Sequence, residues 1–174
     1  MKKFLTALTL LLATTLSWAQ DSDAIWARVK EVNLPGKSLE ASWKRVYRSP
    51  MLVEELVSEG KVYLREPGQV RWETLSPVSR LTVYDGTEPR GRFRMPREKD
   101  FRITVLEGEE YIVRLDPLRK DLEQLVGQIT LHVNRENYRV LYVTVKTPDG
   151  AWSRIDFSSV VLEKDLPDHL FTKP

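Results

Sequence analysis

Apolar residues recur along this chain at two periods, and the switch between them divides it. Ile25, Val29 and Val32 stand at i, i+4 and i+7, which places them on one stripe of an amphipathic helix. Asp21 or Ser22 can cap that helix, and Leu34-Pro35-Gly36 stops it. From Ser38 the period becomes two. Leu39, Ala41 and Trp43 alternate with Glu40, Ser42 and Lys44, and Val62 and Leu64 alternate with Lys61, Tyr63 and Arg65. Pro67-Gly68 turns the chain into Val70, Trp72 and Thr74, which face away from Arg71 and Glu73. Ser76-Pro77 turns it again into Leu81 and Val83, and Asp85-Gly86 is the strongest hairpin signal in the chain.

The second half has the same style. Phe101, Ile103 and Val105 lead through Glu107-Gly108-Glu109 to Tyr111, Val113 and Leu115, and Leu118, Leu122 and Leu125 have a brief helical spacing. Ile129, Leu131 and Val133 follow, then Leu141, Val143 and Val145, the turn Pro148-Asp149-Gly150, and finally Ile155 and Phe157. About nine to eleven short strands joined by tight turns predict a mainly β fold with an N-terminal helix, its antiparallel meander curved into a half-barrel or sandwich. Parallel βαβ units do not fit this pattern.

The N-terminus sets the expected compartment. Met1, Lys2 and Lys3, the apolar run Phe4 to Leu12 and the small-x-small site Ser17-Trp18-Ala19 form the pattern of a secretory signal peptide over residues 1–19, with one domain expected over 20–174. The chain has no cysteine, which excludes disulfides, thiol chemistry and a lipidated N-terminal cysteine. Removal of the leader takes Lys2 and Lys3 and no acid from 27 basic and 25 acidic residues, leaving the two signs equal. A nucleic-acid role loses its electrostatic support at that balance. Catalysis has little to stand on: His132 and His169 are the only histidines, His132 reads as a surface residue on a strand, and neither has a nucleophile or metal-ligand partner at useful spacing. Paired acids such as Glu54-Glu55 and Glu109-Glu110 are adjacent, so in strands they point to opposite faces. No enzyme, metal or cofactor is expected.

The residues Gly60-Lys-Val-Tyr-Leu-Arg-Glu-Pro67, Val70-Arg-Trp72-Glu73, Pro77 and Val83-Tyr-Asp85-Gly86, in this order, resemble the signature of the LolA family of periplasmic outer-membrane lipoprotein carriers. Tyr111 to Pro117, Gln128 to Val133, Pro148-Asp149-Gly150, Arg154 to Phe157 and Phe171 sit in family order as well, so the resemblance covers most of residues 38–174. It implies an unclosed antiparallel half-barrel wrapped over helices, whose concave apolar face holds the acyl chains of lipoproteins in transit through the periplasm. The implied partners are an acylated lipoprotein or another lipidic ligand, an inner-membrane lipoprotein export complex and an outer-membrane acceptor, with transient membrane contact only and a monomeric carrier.

On that reading the acyl-binding face comprises Leu39, Ala41, Trp43, Val62, Leu64, Val70, Trp72, Leu81, Val83, Ile103 and Val113. Arg90, Arg92 and Arg94 share one strand face and are candidates for an anionic headgroup or partner; a charged edge strand that resists pairing explains them equally. The chain departs from the family in two places. Glu66 stands where an arginine that latches the lid is usual, with Arg65 one position earlier, so no latch carries over to Glu66. Met95 to Asp100 is too short for a helical lid, which implies a more open pocket and leaves room for a cargo other than a lipoprotein, such as a lipid or pigment precursor. Periodicity alone equally allows an ordinary sandwich with a filled core.

Overall fold

The structure, a computed structural model, describes residues 22–33, 38–66, 68–85 and 98–172. The expected signal peptide, the Pro67 and Gly86 turn positions, Arg90, Arg92, Arg94 and Met95 to Arg97 lie outside the described residues. Helix α1 covers 22–33, inside the span that its apolar stripe predicts. Nine strands follow: β1 (Ser38–Arg48), β2 (Leu56–Arg65), β3 (Gln69–Ser76), β4 (Arg80–Asp85), β5 (Phe101–Glu107), β6 (Tyr111–Pro117), β7 (Gln128–Val133), β8 (Val140–Lys146) and β9 (Trp152–Leu162). A short helix α2 (Lys120–Glu123) lies between β6 and β7, the single turn that the leucine spacing there predicts, with Leu122 buried and Leu118 and Leu125 exposed on either side of it.

All nine strands form one antiparallel sheet in the order β4-β3-β2-β1-β9-β8-β7-β6-β5. Two meanders, β1 to β4 and β5 to β9, are joined edge to edge where the last strand returns beside the first. β4 and β5 remain as open edges, so the sheet is not closed.

The inner face carries two apolar clusters. Ile25 and Val29 of α1 pack on Tyr111, Val113 and Val133, with Ile103, Val105, Leu115 and Leu131 around them. At roughly 1.5–3 kcal/mol for each large side chain fully buried, this cluster is what holds α1 to β5, β6 and β7. The second cluster is Ala41, Trp43 and Val62, flanked by Leu64, Trp72, Ile155 and Phe157. Trp43 stacks on Trp72 at 4.9 Å between ring centroids.

Three bulges break the simple alternation. Leu75 is an extra residue in β3 opposite the step from Glu59 to Gly60, and there a side chain on Gly60 would meet the Glu73 carbonyl oxygen at 1.8 Å and the Trp43 indole at 2.8 Å. Glycine is required by that close approach of backbone and ring. An extra residue in β9, where Ser159 has φ of 52°, turns Val160 to the same face as Phe157. In β8 the extra residue is Leu141, which is exposed, while Val140 and Val143 face inward. The sequence pattern had aligned Leu141 with Val143 and Val145; the bulge replaces it on the inner face by Val140.

The outer face of β2, β3 and β4 is covered by the C-terminal segment. Arg65 donates to the Leu166 carbonyl at 2.7 Å, pairs with Asp168 at 2.9 Å and lies 4.5 Å above the Phe171 ring. Arg71 donates to the Leu170 carbonyl at 3.0 Å. Arg65 and Arg71 therefore fasten the C-terminal segment to the outside of the sheet.

Candidate functional site

Between α1 and the inner face of β1, β2 and β3 lies a cavity of about 450 Å³. Its walls come from Leu39 and Ala41 of β1, Val62 and Leu64 of β2, and Val70 and Trp72 of β3 on one side. Leu131, Val140, Val143, Phe157 and Val160 of β7, β8 and β9 form the other side. Were the sheet flat, β3 and β7 would stand about 24 Å apart, five strand spacings of ~4.8 Å. One cavity touching both requires the sheet to curl around α1, which is the half-barrel curvature the fold class predicts.

The helix supplies Trp26, Val29, Lys30 and Asn33, a single face at helical spacing. Two sets of hydrogen bonds fix that face. The Asn33 amide donates to the Val29 and Tyr138 carbonyls, each at 2.7 Å, and its oxygen accepts from the Val140 backbone N–H at 2.8 Å. At the other end Glu98, from a short 3₁₀ turn Glu98–Asp100, accepts from Trp26 Nε1 at 2.9 Å and from Lys30 Nζ at 2.9 and 3.0 Å. The indole hydrogen bond, followed by the lysine, holds the Glu98 carboxyl below the usual carboxylate range. Lys30 and Asn33 are the only polar side chains lining the cavity among the described residues.

Six of the residues expected on the acyl-binding face do line the cavity: Leu39, Ala41, Val62, Leu64, Val70 and Trp72. The other five do not line it, three of them on the inner face and two on the outer. Trp43 is 3% exposed and packs behind the wall between Gly60 and Trp72. Ile103 and Val113 belong to the filled cluster beneath α1, where Val113 has no exposure at all. Leu81 and Val83 pair with Glu73 and Arg71, which puts them on the outer face; the inner positions of β4 are Thr82 and Tyr84. Alternation separates two faces without saying which is inner, and on β4 the apolar set serves the side where the C-terminal Asp168–Phe171 turn lies.

Sequence reasoning missed the contributions of α1 beyond its core stripe, and those of β7 to β9. Lys30 and Asn33 read as the polar side of a helix; Val140 and Val160 are out of phase with their strands because of the bulges. His132 sits outside the cavity, with Nδ1 2.5 Å from a Glu110 oxygen and its ring stacked on Tyr142 at 4.0 Å. Among the described residues no cluster of histidine, cysteine and acidic side chains is arranged to hold a metal. No described helix is long and apolar enough to cross a membrane.

No family model matches the chain, and no curated protein sequence matches it. Solved structures do. A domain from Vibrio parahaemolyticus described as an outer membrane lipoprotein-sorting protein aligns over 88% of this chain and 97% of its own, with 10% identity and a TM-score of 0.51. MucB aligns over 89% of this chain at 13% identity and a TM-score of 0.50; this chain spans 63% of its length. A LolA superfamily protein from Nitrosomonas europaea aligns over 87% of this chain and 97% of its own at 16% identity, with a TM-score of 0.42. The likeness of the first two is one of fold: the chain shares the fold of that lipoprotein-sorting domain and of MucB, and here it is an unclosed antiparallel sheet curled around an N-terminal helix.

Proposed function

We propose that this chain is a carrier that takes acyl chains into the cavity between α1 and the β1–β3 side of its sheet. It shields acylated lipoproteins in the periplasm between an inner-membrane export complex and an outer-membrane acceptor, and it makes or breaks no covalent bond. The observation that carries this reading is the cavity of about 450 Å³, apolar apart from Lys30 and Asn33. That volume falls within the roughly 300–1,000 Å³ of small-ligand pockets. An acyl chain of ~16 carbons costs about 13 kcal/mol to expose to water, at ~0.8 kcal/mol per CH₂, so such cargo needs a shield to cross an aqueous space. The leader-like N-terminus and the fold both agree with a periplasmic carrier.

The size of the cavity favours a second reading. A 150 Å³ cavity holds one benzene, so 450 Å³ accommodates about 18 carbons, one fatty-acyl chain rather than several. A carrier of a single-chain lipid on the same fold satisfies that volume. Both readings are tested by purifying the full chain gently from the periplasm and examining it by native mass spectrometry and lipid extraction. Co-purified acyl material is expected, diacylated or triacylated protein for the first reading and a free lipid for the second. A bare protein whose tryptophan emission responds to no acylated ligand would overturn both.

A further inference from the structure

We infer that the cavity selects an amphiphile with one acyl chain and an anionic head, a carboxylate or a phosphate, and that Lys30 is the residue that reads the head. This rests on the acyl-carrier reading and specifies its ligand. Lys30 lines the cavity and yet has a side chain 39% exposed, so its stem runs along the wall while its ammonium stands at the mouth. Asn33, the other polar lining residue, spends both amide hydrogens and an oxygen lone pair on the backbone, which leaves it little to offer a ligand.

An ammonium has three donors. Lys30 directs its own at the two oxygens of Glu98, and Glu98 does not line the cavity, so a ligand head rising from the apolar interior meets the cation before the acid. Glu98 also keeps the Trp26 indole at 2.9 Å, so Lys30 can turn toward a second anion without stranding the carboxylate. A charge-assisted hydrogen bond at the mouth is then available to a carboxylate or phosphate, and an alcohol or ester of the same chain gains only the weaker neutral bond.

The test uses the full chain and three probes of equal chain length at pH 8: palmitate, hexadecyl phosphate and hexadecanol, each titrated below its aggregation limit and followed by tryptophan emission. Either anion is expected to bind about tenfold more tightly than hexadecanol, and whichever of the two binds better identifies carboxylate or phosphate as the source. Lys30→Met keeps the stem and should bring the three probes to within about twofold, while Lys30→Arg should keep the preference. Equal binding of hexadecanol and palmitate to the unaltered protein, or a preference that survives Lys30→Met, overturns the inference and leaves the carrier reading standing. If none of the three probes binds, the acyl cavity itself is refuted and the inference with it.

Discussion

The two halves of the inner face are built from the same alternating strands and end in different states. On β5 and β6, and at Val133 of β7, the apolar positions are filled: Val113 and Val133 have no exposure, and Ile25 and Val29 of α1 close over them. On β1, β2 and β3 the equivalent positions, Leu39, Leu64, Val70 and Trp72, look into about 450 Å³ of space. The strands do not make this difference. One short helix, tied by Asn33 to the β7–β8 turn and by Trp26 and Lys30 to Glu98, covers one half of the sheet and only edges the other. A cavity can thus arise in an ordinary core when the element that would fill it is displaced sideways.

Matched charges introduced on the two halves should produce the largest contrast. Val113→Glu places a carboxylate where no water reaches, and its cost of at least ~4 kcal/mol consumes much of the 5–15 kcal/mol that a domain has. The protein should fail to fold or should unfold at low denaturant. Val70→Glu lines a cavity instead, so the loss should be about 1–2 kcal/mol with a cooperative transition retained, while acyl-chain binding falls at least about tenfold. Urea titration followed by circular dichroism compares the two directly. Equal destabilisation would mean that the β1–β3 half is as filled as the other, and the cavity would have to be abandoned.

Much of this division lies beyond what alternation can express. The period-two pattern located β1 to β3 and the six lining residues Leu39, Ala41, Val62, Leu64, Val70 and Trp72 because those strands run in phase over that span. It could not separate Val113 from Val62, since both are apolar inward positions and only the placement of α1 distinguishes them. It misassigned Leu81 and Val83 because the β4 apolar set faces the C-terminal segment. It missed Val140 and Val160 because single extra residues at Leu141 and near Ser159 invert the phase within a strand. Lys30 was invisible for a different reason. A lysine on an amphipathic helix reads as solvent-facing, and only the geometry shows its stem on a cavity wall.

The floor of the open half is tight even though its upper part is not, and Gly60 marks the boundary. A methyl group there would stand 1.8 Å from the Glu73 carbonyl oxygen and 2.8 Å from the Trp43 ring, so either the β3 bulge or the indole must move. Gly60→Ala is expected to cost about 3 kcal/mol, the upper range for overpacking, and Gly60→Leu more. Equilibrium unfolding measures it. The same substitution should disturb the Trp43–Trp72 stack and with it the near-ultraviolet circular dichroism. A Gly60→Ala protein within about 0.5 kcal/mol of the parent would break the assignment of Trp43 to a packed floor.

The smallest expected effect is one of pH, and it separates the halves through α1. Glu98 accepts hydrogen bonds from Trp26 and Lys30, and these, the indole first, hold its pKa below that of an ordinary glutamate. A carboxyl with a depressed folded-state pKa contributes stability that is fully present above its unfolded pKa and is lost as pH falls through the folded value. The clasp is therefore intact at neutral pH and weakens only at pH values more acidic than those where a free glutamate titrates. Its side chain is 50% exposed, so solvent screens the ion pair and the change in global stability should be slight. The readout is local: the Trp26 indole N–H resonance should shift with a midpoint below the ordinary glutamate range, and Glu98→Gln should abolish that titration. Methyl signals of Leu64 and Val70 should move with it, because Trp26 and Lys30 line the same cavity from the helix side, while Val113 and Val133, which Trp26 also borders but which have no exposure, should move less. A midpoint at or above the ordinary glutamate value, or equal movement of the two sets of methyls, would show that Glu98 does not govern the open half selectively.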